Sequence, residues 1–492
     1  MARFNFVFLI TLSLTTSISA FIDHYGYKKI KSSIPSGLTA DDALFLTPYI
    51  KKGQIAEAQK LAQAPPLMKN VESFAGYLTV NETYSSNLFF WLFKSQLGDW
   101  LKQPTILWLQ GGPGVSSLFG LFSEIGPFSV TDSLRLKRRE YSWNRKCNLL
   151  FFDQPVGTGY SFTKTYYGFA KNETDVARDL YTALVQLFTL FPSLQRNKFF
   201  IAGESYAGKY IPAIGHKIYH ENKVPGAALK INLGGLMIGN GLTDPENMLY
   251  YSDFLYKIGL VDDKTRAKLK EYENYARKDI KDEEYRDALD WLNFEFNHIL
   301  GTTGFMYPYD FTNDKIGIDD RVIKFVQKKK VRKAIHVGSY EFNDFYMPYN
   351  YLMNDMMQSV RPWVEELLTA EEFPIMFYSG QLDIIVAYPL SVAFYDKLEW
   401  PRTSEYREAK RCQFRVGVDV AGYFKTAGTF TEVMCVCCKH PPEKKTLAVE
   451  VVLTSCIDIP CAFQTQGLKV PGVAVAPGAD EATAPPPGTF GL

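Results

Sequence analysis

The chain predicts an α/β fold, a mainly parallel central sheet with helices on both faces. Three observations carry that prediction. Apolar runs of strand length recur at 75–80, 88–93, 105–109, 148–153, 198–202 and 231–238. Helical periodicity fills the spaces between several of them, most clearly at 175–191. There Val176, Leu180, Ala183, Leu184, Leu187 and Phe188 share one face. Finally, Gly203-Glu204-Ser205-Tyr206-Ala207 sits where the run Phe199-Phe200-Ile201-Ala202 gives way to a helical stretch over 206–221.

Taken in order, residues 1–19 read as a secretory leader. Arg3 supplies the basic start, 6–14 the apolar stretch, and Ser17-Ile18-Ser19 a small-residue cleavage site. A polar lead-in follows, with a short helix around 55–62, and the first part of the core runs over 20–243. Residues 244–330 change character: charged, helix-favouring sequence, densest at 262–291, suggests a helical cap inserted into the core. The core resumes over 331–445, first at 331–337 and again at 374–378, where an apolar strand ends in Ser379-Gly380-Gln381-Leu382-Asp383. Residues 446–492 form an atypical C-terminal tail, expected to be disordered from about residue 471, where Pro, Gly and Ala dominate.

Composition narrows the function classes. At 492 residues and 46% hydrophobic content, the chain can bury one large core plus an insertion. Its 54 basic and 53 acidic residues leave a net charge of +1. No basic stripe points to a nucleic acid or an anionic lipid surface. Beyond the leader, no stretch is apolar and long enough to span a bilayer. Asn81-Glu82-Thr83 and Asn172-Glu173-Thr174 are acceptor sequons, which makes Asn81 and Asn172 candidate glycosylation sites in a chain entering the secretory pathway. Its destination would be secretion or the lysosome. Of the seven cysteines only Cys147 precedes residue 412. Cys435, Cys437, Cys438 and His440 crowd together, but they lack the paired spacing of a zinc site. Neither a metal nor a cofactor is assigned.

The pentapeptide around Ser205 points to chemistry. A serine with small neighbours at a strand-to-helix turn is the nucleophile elbow of α/β-hydrolases, which exposes the hydroxyl. Ala207 stands where the strict pattern has Gly; an ordinary βα-turn serine is the plainer reading, which the flanking strand and helix outweigh. Hydrolases of this fold supply their triad in the order Ser, Asp/Glu, His. Asp383 follows a core strand, and of the six histidines (24, 216, 220, 298, 336 and 440) only His440 comes after it. Ser205 would attack, His440 shuttle the proton, and Asp383 orient the imidazole. The Tyr206 amide, directly after the nucleophile, and the Gly112 amide of Gly111-Gly112-Pro113-Gly114 would hold the oxyanion.

Four stretches together carry a family resemblance. These are Trp108-Leu109-Gln110-Gly111-Gly112-Pro113-Gly114-Val115-Ser116-Ser117, Asp153-Gln154-Pro155-Val156-Gly157-Thr158-Gly159-Tyr160-Ser161, the segment 203–212, and 379–383. In that order, over about residues 70–440, the chain resembles the serine carboxypeptidases, and within them the vitellogenic-like members. The resemblance implies hydrolysis of C-terminal residues from peptides through an acyl-enzyme. It also implies that Gln110, the Gly111 amide, Glu124 and Glu204 bind the substrate's terminal carboxylate. Two acids facing a third carboxylate need protons, so acidic operation is expected. A peptide with a free C-terminus is the implied partner; homodimers occur in the family, and the sequence leaves that open.

The sequence departs from the pattern around His440. Family members place this histidine after Gly and before a closing helix. Here Cys438-Lys439 precede it, Pro441-Pro442 follow, and no closing helix is legible over 446–492. A non-catalytic hydrolase-fold protein and a carboxypeptidase-like acyltransferase therefore stand as alternatives.

Overall fold

The computed structural model describes residues 34–436, except 228, 306–307, 313–319 and 417–418, together with 469–470 and 473–474. The leader at 1–19 and His440 lie outside the described residues, as does most of the tail at 446–492.

The principal sheet has eleven strands. In chain order they are β1 (Gln63–Ala64), β2 (Ser73–Asn81), β3 (Ser86–Phe93), β4 (Thr105–Leu109), β5 (Asn148–Asp153) and β6 (Phe199–Glu204), followed by β7 (Leu233–Gly239), β8 (Ile375–Gly380), β9 (Cys412–Val416), β10 (Asp419–Ala427) and β11 (Phe430–Cys435). Their spatial order is β1-β2-β3-β5-β4-β6-β7-β8-β11-β10-β9. The inner six, from β5 to β11, pair in parallel. Both flanks are antiparallel: β1-β2-β3 joins β5 on one side, and β11-β10-β9 closes the other.

Burial on both faces explains the continuous apolar runs, because a parallel strand covered on each side has no polar face to show. Alternate residues separate into two cores. Phe90, Leu92, Leu107, Leu109, Leu150, Phe152 and Ile201 enter one. Phe89, Trp91, Ile106, Trp108, Leu149, Phe151 and Phe200 enter the other. The first core is covered by α1 (Glu173–Leu190) and α2 (Ala207–Lys223). Asn172 caps α1 by accepting from the Asp175 amide at 2.9 Å, and the stripe from Val176 to Phe188 is buried.

Two long helices, α3 (Asp263–Lys281) and α4 (Tyr285–Thr303), lie between β7 and β8 in sequence and pack against each other. Of residues 331–337, where the core resumes, those up to Ala334 are helical. Lys329–Ala334 forms α5, and the chain then turns through His336 at φ 58°. Val331, Ala334 and Ile335 stand at i, i+3 and i+4, so a helix buries them on one side of the sheet. A further helix, α6 (Arg361–Ala370), packs on α2. Among the described residues no helix is long and apolar enough to cross a membrane.

Candidate active site

β6 delivers Glu204 at its last position, and Ser205 follows in the left-handed region at φ 61°. A non-glycine residue there is strained, and such strain gathers at functional turns. The neighbours must be small: a Cβ on Gly203 would fall 2.1 Å from the Leu109 carbonyl oxygen and 3.0 Å from the Ala207 methyl. At 207 itself a methyl fits, which explains how the pattern tolerates Ala. The Ser205 carbonyl accepts from the amides of Gly208 (2.9 Å) and Leu242 (3.0 Å), and its own amide donates to Gly239 O at 3.0 Å. The turn is thereby tied to the first turn of α2 and to the end of β7.

The glycine loop after β4 lies directly against this turn. A Cβ on Gly111 would sit 2.5 Å from the Tyr206 nitrogen and 2.8 Å from Ser205 Cβ. Only glycine permits so close an approach. Gly112, at φ 116°, is exposed at the loop's surface, whereas Gly111 and Tyr206 are buried. The amide of Tyr206 precedes the first hydrogen-bonded turn of α2, where backbone N–H groups lack intrahelical acceptors. The glycine loop, the Tyr206 amide and the Ser205 side chain thus come together at one spot.

Gln110, Glu124 and Glu204 meet beside it. Trp108 Nε1 donates to Gln110 Oε1 at 2.9 Å, which fixes the amide so that Nε2 points at the acids. Nε2 then donates to Glu204 Oε1 at 2.8 Å and, at 3.4 Å, to Glu124 Oε1. Both acids are half-buried. Sequence reasoning missed what holds Glu124 in place. Buried Arg139 donates to the carbonyl oxygens of Phe122 (2.7 Å), Glu124 (2.7 Å) and Gly126 (3.2 Å). In the sequence Arg139 ends a basic run, Lys137-Arg138-Arg139, and looks like a surface charge.

Asp383 follows β8 and is 9% exposed. Its carboxylate accepts from the amides of Ile385 (2.8 Å) and Val386 (3.3 Å). Asn240, also unforeseen, connects this turn to the serine. It follows Gly239, whose carbonyl receives the Ser205 amide. Its Oδ1 accepts from the Gly380 amide at 3.0 Å, and its Nδ2 donates to Val386 O at 3.0 Å. One side chain therefore registers the elbow against the acid turn. β11 runs parallel to β8 with Gly380 opposite Cys435, so the chain leaves the sheet after 435 on the side of the acid turn. His440 comes five residues later, outside the described residues.

The remaining described histidines lie elsewhere. His336 is on the β1 side of the molecule, where its carbonyl accepts from the Leu44 amide, and burial lowers its pKa. His216 and His220 are on α2, and His298 is on α4. The Asp153 motif buttresses the loops. Asp153 accepts from Ser116 Oγ at 2.5 Å and from the Tyr160 amide at 2.9 Å, while a Cβ on Gly159 would fall 2.2 Å from its Oδ2. Of the candidate glycan sites, Asn172 is exposed and Asn81 half-buried.

Burial raises several carboxyl pKa values, among them Asp153 to about 7, Glu173 to about 8 and Asp179 to about 6. The folded chain then holds protons that the unfolded chain releases above its values of 3.8 and 4.5. Their contribution to stability is complete below those values and is lost as pH rises through 6 to 8. Tm is therefore expected to be higher at pH 5 than at pH 8, with Glu173→Gln flattening the slope. A Tm that rises from pH 5 to pH 8 at constant ionic strength would refute this.

A serine on a strained strand-to-helix turn, a glycine loop packed against it and an acid after a parallel strand of the same sheet are the features of the α/β-hydrolase fold. The fold of a yeast (Saccharomyces cerevisiae) prohormone-processing carboxypeptidase, Kex1(delta)p, is similar, with a TM-score of 0.70 at 22% identity over 89% of this chain and 98% of that one. The serine carboxypeptidase family model matches residues 64–458, and the chain belongs to that family. Venom serine carboxypeptidase of Apis mellifera is 45% identical over 403 residues, 80% of this chain and 85% of that protein. The human protein described as probable serine carboxypeptidase CPVL is 41% identical, covering 82% and 86%. Vitellogenic carboxypeptidase of Aedes aegypti is 38% identical, covering 88% and 94%. The chain is accordingly a serine carboxypeptidase, an enzyme that removes C-terminal residues from peptides.

Proposed function

We propose that Ser205 attacks the last peptide bond of a substrate whose free carboxylate sits on Gln110, the Gly111 amide, Glu124 and Glu204. The observation that carries this reading is the Gln110 side chain, which reaches both acids, one of them the residue next to Ser205. Ser205 Oγ adds to the scissile carbonyl and passes its proton to His440, while the Gly112 and Tyr206 amides hold the oxyanion. The C–N bond then breaks, the proton goes to the departing amine, and a free amino acid leaves. Water, deprotonated by His440, cleaves the ester and restores Ser205. Asp383 orients the imidazole and compensates its charge.

Two carboxylates bind a third only while protons are shared among them. The enzyme therefore works best in acid, and its KM for free-carboxylate peptides rises between pH 5 and pH 8. Glu204→Gln, which keeps the shape but removes a charge, should flatten that pH dependence. Glu204→Ala, which removes the donor altogether, should weaken substrate binding by roughly ten- to a hundredfold, the worth of a charged hydrogen bond. Steady-state kinetics on matched peptides with free and amidated C-termini provide the test. An unchanged pH profile, or equal use of both peptides by the parent enzyme, would remove the carboxylate site.

The mature chain is proposed to be secreted or lysosomal, trimmed after the leader at 1–19 and glycosylated at Asn81 and Asn172. Support comes from the leader's composition and from Asn172, whose Oδ1 caps α1 and leaves its amide nitrogen facing solvent. Intact-mass analysis of the exported protein before and after glycosidase treatment checks it; an untrimmed, unmodified chain would refute it.

A further inference from the structure

Two imidazoles and a carboxylate converge on the outer face of α2, about three to four turns beyond the elbow. His216 and His220 stand at i and i+4, so both rings project from the same side of the helix. Glu366 reaches them from α6. His216 Nε2 lies 2.8 Å from Glu366 Oε2, His220 Nε2 lies 2.8 Å from Oε1, and the two Nε2 atoms are 3.1 Å apart. Trp363, one turn before Glu366, stacks on the His216 ring at 5.5 Å and holds its plane.

Hydrogen bonding alone serves this triangle poorly. An N–H on each Nε2 satisfies the carboxylate but sets two donors against each other at 3.1 Å. Removing one of them leaves a carboxylate oxygen facing a nitrogen lone pair. A divalent ion accepts lone pairs from all three groups at once. Ligand atoms on a tetrahedral zinc with bonds of about 2.0–2.1 Å stand about 3.3 Å apart, a few tenths of an ångström wider than the spacing here. The side chains are 23%, 51% and 44% exposed, which opens the fourth position to water.

We propose that His216, His220 and Glu366 form a binding site for a borderline divalent ion of the zinc class, fastening α6 to the helix that begins at the catalytic turn. The ligand set is two neutral imidazole nitrogens and one carboxylate oxygen, a composition that favours zinc over magnesium or calcium. The role is structural, because the site lies on the helix's far turns and away from the opening above Ser205.

The test uses the full, exported chain stripped with chelator and titrated with zinc by calorimetry, then with cobalt(II) by absorption. One zinc per chain is expected, with a rise in Tm at saturation. Affinity should fall at least about tenfold in Glu366→Gln, and further in a His216→Ala/His220→Ala double variant. The cobalt spectrum should lack thiolate charge-transfer bands, which separates this site from the cysteines near the C-terminus. Trp363 fluorescence should be quenched by copper(II) in the parent and not in the double variant. Circular dichroism matching the parent confirms that these exposed substitutions leave the fold intact. Zinc binding of unchanged stoichiometry and affinity in the double variant, thiolate bands, or no zinc binding by the parent would overturn the proposal.

Discussion

Ser205→Ala should abolish peptide hydrolysis and fluorophosphonate labelling together, lowering kcat by roughly 10⁶ while leaving the fold unchanged. Its magnitude follows from what Ser205 does in the proposed sequence, since without Oγ no acyl-enzyme forms. Residual turnover would come from amide donors and binding alone. The fold should tolerate the change because Ala occupies less space at the same φ of 61°, a backbone already fixed by Gly239, Gly208 and Leu242. His440→Ala should cost nearly as much, and the double variant scarcely more, because the two act as one unit. Mass spectrometric mapping of the labelled residue, with kcat from a peptide substrate, checks both. Labelling of Ser205 that survives unchanged in His440→Ala would strip His440 of its role as base, and labelling elsewhere would dismiss Ser205.

Gly111→Ala is expected to cost about 10²–10³ in kcat, the usual loss when an oxyanion donor is displaced. The added methyl would lie 2.5 Å from the Tyr206 nitrogen and 2.8 Å from Ser205 Cβ, so either the loop or the elbow must move. Loops yield more cheaply than a turn held by three backbone hydrogen bonds. The Gly112 amide therefore shifts while the sheet keeps its register. KM should rise as well, because the Gly111 amide is also proposed to hold the substrate carboxylate, while the fall in kcat reports the displaced oxyanion donor. Equal kcat in the variant and the parent, with Tm matched, would mean that the glycine loop supplies no oxyanion contact.

Much of this arrangement could be read from the chain because it is local. The elbow needs a strand, a serine and small neighbours within a few residues, and all are contiguous. The strand that ends just before Asp383 was legible as an apolar run. The missed residues act over long separations. Asn240 meets Gly380 and Val386 140 and 146 residues away, and nothing in its own neighbourhood reveals the partnership. Arg139 carries a charge that usually marks a surface, yet it is buried against three carbonyls. Residues 331–337 fit a core element of either type, because their apolar spacing satisfies helical as well as strand packing. The antiparallel flanks were equally hidden, since pairing direction depends on how the chain returns rather than on composition. His216 and His220 were visible as helix neighbours, but Glu366 lies 150 residues from His216.

The parallel pairing of β11 with β8 divides this protein's inheritance into two parts. Everything needed to build the sheet is encoded by Cys435, whereas the proposed base is encoded five residues later. A change in the genetic message downstream of that boundary would leave all eleven strands of the principal sheet encoded and would alter the segment that carries the proposed base.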